Sequence, residues 1–307
     1  MTITMLGNSA LVPRPGRAET AATLECAGHM ILFDCGEGTQ CAAAGAGAAV
    51  TGTDMIALTH YHGDHIFGLP GLMQTMTMMG RTAPLLLIGP EGLEQAMKPI
   101  LELVGWTPYD VVLKELPAEG VQLCELAEGW PGKARLTPFR TQHRVTSQGY
   151  IVTLGRAGRF LPQRANELGV PQNLWGRLQK GETLEVNGRR VEPSMVMGEA
   201  RRGLKFVFSG DTAACESLTT AAADADLLIC EATYGENEQG ESAMERGHMT
   251  FAQAGRTAAE AGARRLWLTH FSQMIEEPED YLPNAQAFFP RAECGTDGKR
   301  IILKFEQ

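Results

Sequence analysis

The sequence predicts a layered α/β fold, and three observations carry that expectation. Short apolar β-type runs alternate with stretches of helix-like apolar spacing, several of the runs end in a polar residue, and no internal repeat imposes another architecture. A chain of 307 residues with 44% hydrophobic content buries a large core and fits one large domain or two small ones.

In chain order, the runs Ile31 to Asp34, Met55 to Thr59, Leu85 to Ile88, Arg135 to Phe139, Phe206 to Ser209, Leu227 to Cys230 and Leu266 to Thr269 read as buried strands. Helices are expected over Leu69 to Met79, Gly92 to Val104, Phe251 to Ala261 and Glu279 to Phe288, where apolar residues recur at helical spacing. The Ala- and Gly-rich stretch Ala42 to Gly52 reads as a helix running into a turn. The methionines between Met73 and Met79 read as a packed helix face. The segment Arg156 to Gly203, rich in Gly, Pro and charge, breaks the rhythm. It is expected to be an insertion with little core of its own, anchored locally by Phe160 and Trp175.

Composition removes several classes. No apolar run is long enough to span a bilayer, and the N-terminus lacks a basic region followed by an apolar stretch, so a soluble cytoplasmic protein is expected. Seven scattered cysteines without a C-x-x-C pair give neither a disulfide framework nor a thiolate zinc site. The net charge is −9, but Gly155 to Lys205 carries ten Lys or Arg against five Asp or Glu, a local +5 that leaves −14 for the remainder. A basic segment on an acidic body suits a polyanion-binding appendage, though solvated charged loops also look like this.

The chemistry concentrates in His60-Tyr61-His62-Gly63-Asp64-His65, directly after a predicted strand. In extended backbone, residues two apart face the same way, so His60 and His62 address one metal while the turn at Gly63 redirects Asp64 and His65 to a neighbour. Imidazole with carboxylate suits zinc, with manganese or iron as alternatives. Further ligands are sought where strands end: His143, Asp211 in Ser209-Gly210-Asp211-Thr212, and His270. Singly, Asp211 is equally an N-cap and each histidine a hydrogen-bonded structural residue; jointly they form a ligand set. Only seven histidines occur, and five of them, 60, 62, 65, 143 and 270, fall in or beside these positions.

With Leu6-Gly7 and Ser9, Phe33-Asp34-Cys35-Gly36-Glu37-Gly38-Thr39-Gln40, Gly68-Leu69-Pro70-Gly71-Leu72, Glu231-Ala232-Thr233 and Thr269-His270-Phe271-Ser272 added, the sequence resembles the metallo-β-lactamase superfamily. Within it, the resemblance is to the ribonuclease Z family of transfer RNA 3′-end-processing enzymes, over nearly the whole chain. It implies an αββα four-layer sandwich, a single domain over residues 1–307, with residues 156–203 as an inserted protruding arm that grips the transfer RNA elbow. It implies two zinc ions per subunit, one held by His60, His62 and His143, the other by Asp64, His65 and His270, bridged by Asp211, with Asp34 orienting a ligating histidine. Asp64, His248 and Glu231 are the implied catalytic set, His248 as proton donor and Glu231 orienting it. The implied reaction is attack of a metal-bridging hydroxide on phosphorus, on precursor transfer RNA, by a homodimer.

This chain departs from the family pattern at three places. Arg14 and Ala18 break the stretch after the first strand while Arg17 matches it, Ser272-Gln273-Met274-Ile275 lacks an Arg, and Gly169-Val170-Pro171-Gln172-Asn173 lacks a Gly-Pro element. The alternative readings are another phosphodiesterase of the superfamily and a non-catalytic RNA-binding or metal-sensing scaffold.

Overall fold

The structure, a computed structural model, describes residues 1–306. The chain opens with β1 (Thr2–Gly7), β2 (Ala21–Cys26) and β3 (His29–Phe33), then α1 (Thr39–Ala46), β4 (Met55–Ala57), α2 (Gly63–Ile66), α3 (Leu69–Met78), β5 (Leu85–Gly89), α4 (Leu93–Val104) and β6 (Val111–Glu115). It continues through β7 (Val121–Gln122), α5 (Leu123–Leu126), β8 (Ala134–Arg140) and β9 (Gln148–Arg156). The insertion follows, with α6 (Pro162–Glu167), α7 (Trp175–Gln179), the hairpin β10 (Leu184–Val186) and β11 (Arg189–Val191), and α8 (Pro193–Val196). Then come β12 (Arg201–Phe208), α9 (Glu216–Ala222), β13 (Leu227–Glu231), α10 (Gly240–Glu245), α11 (Phe251–Glu260), β14 (Leu266–Thr269), α12 (Leu282–Gln286), β15 (Ala292–Cys294) and β16 (Arg300–Ile302).

Two seven-stranded mixed sheets result, ordered β16-β1-β2-β3-β4-β5-β6 and β15-β14-β13-β12-β9-β8-β7. Central strands such as β4, β5, β13 and β14 are buried on both faces, so successive residues serve different layers. In β4, Met55 and Ala57 enter the core between the sheets while Ile56 enters the helix-facing core. Between the sheets, the Phe33 ring lies 5.4 Å from those of Phe206 and Phe208, and the buried Tyr150 hydroxyl donates to Leu58 O at 2.7 Å. On one outer face Leu69, Leu72, Met73, Met76 and Met97 pack on Leu32, Ile56 and Leu87; on the other, Leu218, Ala254 and Ala258 pack on Leu228 and Leu268. Helix, sheet, sheet, helix is the four-layer order implied by the resemblance.

Three expectations are corrected. The helix over Glu279 to Phe288 is only a 3-10 turn at Pro278–Asp280 followed by α12; Pro283 sits in its first turn and Pro290 lies just beyond. The Ala-rich helix begins earlier, at Thr39, and stops where Gly47 adopts φ 65°. The insertion does hold a core of its own: Ala165, Val170, Leu178, Leu184, Val186, Val191 and Val196 are buried together, with Phe160 and Trp175 partly buried against them. Its spacing concealed this because short helices and a hairpin of three-residue strands show no long period. The methionine stretch divides, Met73 and Met76 buried, Met78 and Met79 exposed. Among the described residues, no helix is long and apolar enough to cross a membrane.

Candidate metal centre

Six of the sequence-nominated residues sit at or just beyond the C-terminal end of a strand. Asp34 follows β3, His60 follows β4, His143 follows β8 and Asp211 follows β12, while Glu231 ends β13 and His270 follows β14. Strand order then sets the tips beside one another, at the edge where α/β sheets hold ligands. Gly210 permits a close approach: at φ 60°, a β-carbon there would lie 2.7 Å from Thr59 Cβ. His248 is fixed differently, by the start of α11. Thr250 caps that helix, accepting from Gln253 N at 3.2 Å while Gln253 Oε1 accepts from Thr250 N at 2.9 Å.

The hydrogen bonds assign the histidine tautomers. The Thr59 hydroxyl donates to Asp34 Oδ2 at 2.9 Å, so towards His60 it can only accept, taking Nδ1–H at 3.1 Å. Thr233 repeats the device: it donates to Glu231 Oε2 at 2.7 Å and accepts from His270 Nδ1–H at 2.9 Å. His65 Nδ1–H donates to Asp34 Oδ2 at 2.8 Å, and His143 Nδ1–H to Gly247 O at 2.9 Å. In its neutral form each of these four imidazoles therefore directs the Nε2 lone pair inward, which is the form that binds metal.

These lone pairs face one another. His60 Nε2 lies 2.9 Å from His62 Nδ1, which lies 3.4 Å from His143 Nε2; His65 Nε2 and His270 Nε2 are 3.4 Å apart. Asp64 Oδ2 is 3.3 Å from His270 Nε2, and Asp211 Oδ2 is 3.7 Å from His60 Nε2 and 3.3 Å from His270 Nε2. Acceptors crowded without protons between them repel, unless a cation lies in the gap. Tetrahedral zinc at its usual bond lengths sets ligand atoms about 3.3 Å apart. The buried Asp211 Oδ1 has no hydrogen-bond partner. The donor set thus fits divalent ions in two groups, His60, His62, His143 with Asp211, and Asp64, His65 with His270. Asp211, Glu231, His248 and His270 also cluster, but the Glu231 oxygens already accept from Thr212 N, Thr233, Met249 N and His248, which leaves them no capacity for a metal.

Charge agrees with this arrangement. Burial and the neighbouring His65 hold His60 well below its ordinary pKa, and burial with His143 lowers His62. Burial alone would raise Asp211 and Asp64, but His270 and His65 outweigh it and keep both carboxyls low. His65 is raised well above its usual value because Asp211 and Asp34 overcome burial; a divalent cation would take the place of that proton.

His248 stands beside the ligands, its ring stacked on His270 at 5.4 Å and edge-on to His143 at 4.9 Å. Its Nδ1 donates to Glu231 Oε1 at 2.9 Å, leaving Nε2 for chemistry. Burial disfavours its charged form, yet Glu231 more than offsets this, pushing its pKa up to about 9.

Sequence reading missed two kinds of contributor. Thr59 and Thr233 set tautomers, and the signal was available, since Thr59 precedes His60 and Thr233 stands two residues after Glu231. Leu11 gave no signal at all: its N–H donates to Asp64 Oδ2 at 2.9 Å from backbone at φ 64°. In the loop after β1, Arg14 donates to Gln273 O and Arg17 to Ile275 O at 2.9 Å, so the departing Arg14 and the matching Arg17 both tie that loop to the loop after His270.

A family profile described as Anti-Pycsar protein Apyc1 matches residues 1–102, and one described as Beta-lactamase superfamily domain matches residues 177–271. Curated relatives named Ribonuclease Z from Lachnoclostridium phytofermentans and Agathobacter rectalis are 38% and 39% identical over 307 residues, covering 100% of this chain and 99% of each relative. Among solved structures, human tRNase Z, short form, aligns with a TM-score of 0.67 at 27% identity, covering 99% of this chain and 100% of that one. The metallo-beta-lactamase fold protein YhfI of Bacillus subtilis has the same TM-score at 20% identity, covering 98% of both chains, which speaks for the fold.

Proposed function

From the premise that the chain belongs to the ribonuclease Z family, we propose that it is a zinc-dependent endoribonuclease that removes 3′ trailers from precursor transfer RNA in the cytoplasm. The observation that supports this best is the pairing of two metal-ready donor groups with a carboxylate-held histidine beside them. His60, His62 and His143 would hold one zinc ion, Asp64, His65 and His270 the other, and Asp211 would lie between them. Ions held there would supply an activated water and offset charge developing on the phosphoryl oxygens.

This chain's own residues do the rest. Thr59, Asp34, Thr233 and Gly247 keep the imidazoles in ligating form. Leu11 N–H steadies Asp64, which belongs to both the ligand and the catalytic set. His248, charged through its contact with Glu231, gives the proton from Nε2 to the leaving 3′ oxygen, yielding a 3′-hydroxyl on the transfer RNA body and a 5′-phosphate on the trailer.

The arm over residues 156–203 grips the substrate through its excess of Lys and Arg, positioning phosphates without reading bases. A homodimer, with one arm serving the partner's centre, suits the exposed Met78, Met79, Leu103 and Trp106 at the ends of α3 and α4. A binding scaffold without catalysis would have no use for the Glu231–His248 pair.

The test is incubation of the zinc-loaded protein with a precursor carrying a 3′ trailer, mapping both product ends against a chelated control. Metal-dependent cleavage at the trailer junction leaving a 3′-hydroxyl is expected. No cleavage, with bis(p-nitrophenyl) phosphate still hydrolysed, would move the assignment to another phosphodiester.

A further inference from the structure

Phe67 directly follows α2, the helix that carries Asp64 and His65, and its side chain is 68% exposed. The residue is not loose. Its N–H donates to Gly63 O at 2.8 Å, and its ring lies flat against Gly63: a β-carbon there would come within 2.8 Å of Phe67 Cδ2 and Cζ, and closer still to Cε2. Gly63 stands between His62 and Asp64, so the ring is seated on the ligand segment itself. Leu11, also 68% exposed, flanks the other side of Asp64 through its N–H contact.

Single exposed apolar side chains are common and need no explanation. Phe67 differs in being aromatic, packed against Gly63, and two residues from the candidate ligand His65. Exposed aromatics elsewhere are covered or remote. Phe288 lies under Arg256 at 4.6 Å, Phe305 under Arg156 at 5.0 Å, and Trp106 stands two residues beyond α4, away from the ligand segment in the chain. Among the described residues, Phe67 faces neither a cation nor another ring.

A strand whose phosphate reached the donor groups would bring an adjoining base near the segment on which this ring sits. Unpaired bases gain by stacking on an aromatic face, and the gain hardly depends on base identity. We propose that Phe67 is the stacking platform for a nucleobase bordering the scissile phosphate, a role that rests on the RNA-cleaving reading above. It would hold the single-stranded junction in register with the centre without selecting its sequence.

The experiment is a cycle between the ring and the base. Single-turnover kcat/KM is measured for wild type, Phe67→Ala and Phe67→Trp on an intact precursor and on precursors lacking the base either just before or just after the cut. Zinc content is measured in parallel. Phe67→Ala is expected to lose about tenfold on the intact precursor. One of the two abasic precursors should cost wild type a similar factor and cost Phe67→Ala nothing more, and Phe67→Trp should restore the loss. Unchanged cleavage by Phe67→Ala, or a loss of the same factor on every precursor, would overturn the proposal. Wild-type cleavage of the intact precursor reports separately on the RNA-cleaving reading.

Discussion

At the residue scale, the candidate metal centre is positioned by groups outside the ligand set proposed for it. Asp34 accepts from Thr59 N at 2.7 Å, from the Thr59 hydroxyl and from His65, so a single buried carboxylate supports two ligating rings. Leu11, Asp34 and His270 all have left-handed backbone, at φ 64°, 54° and 59°. That region costs an ordinary residue about 1 kcal/mol or more, and such strain gathers where function over-determines the backbone. The proposed proton donor yields a pH prediction. With its pKa raised to about 9, His248 stays protonated through neutral pH and loses its proton only as pH approaches that value. Glu231→Gln keeps the shape but removes the charge, so the ring should titrate nearer its free value of about 6.5. The alkaline limb of the single-turnover pH profile should move to lower pH, with a lower rate at pH 8. An unmoved limb would take the proton-donor role from His248.

At the element scale, the strands are rigid pointers and the arm is a separate module. Six strand ends deliver Asp34, His60, His143, Asp211, Glu231 and His270 to one rim, which explains why polar residues terminate otherwise apolar runs. The insertion was legible as an interruption and as a patch of positive charge. Its internal core was not, because α6, α7 and α8 are each six residues or fewer and their apolar residues meet only in three dimensions. Leu178 lies fully buried in that core. Leu178→Asp should therefore raise hydrogen exchange across residues 157–200 while leaving exchange in β12, β13 and β14 unchanged. Precursor KM should rise and its salt dependence flatten, since each lost phosphate contact removes about one unit of salt slope. Retention of the wild-type salt dependence would show that the arm does not grip the substrate.

At the scale of the whole molecule, the two chain ends close one sheet, Thr2 pairing with Ile302, and the loop before β16 braces the loop after β1. There Asp297 Oδ2 accepts from Ala18 N at 2.8 Å, yet burial dominates and pushes the carboxyl up to about 6. An unfolded Asp ionises near pH 4, so between about 4 and 6 the folded chain binds more protons and its stability falls as pH rises. Asp297→Asn lacks that loss, and the Tm of the variant minus that of wild type should grow from pH 4 to pH 6.5 by a modest amount, the carboxyl being only partly buried. A difference that stays constant with pH would refute this. The sequence by itself determined the layered α/β class, most of the strands, the histidine-rich segment that heads the candidate ligand set and the uneven charge, because these follow from local period, spacing and composition. Only the tertiary structure decided that His270 meets Asp64 across 206 residues, which tautomer each ring adopts, that Leu11 lends an N–H, that the arm has a core, and that Phe67 stands exposed on Gly63. Those depend on strand order and loop geometry, which bring distant residues together through burial that is non-directional and so leaves no periodic trace in the chain.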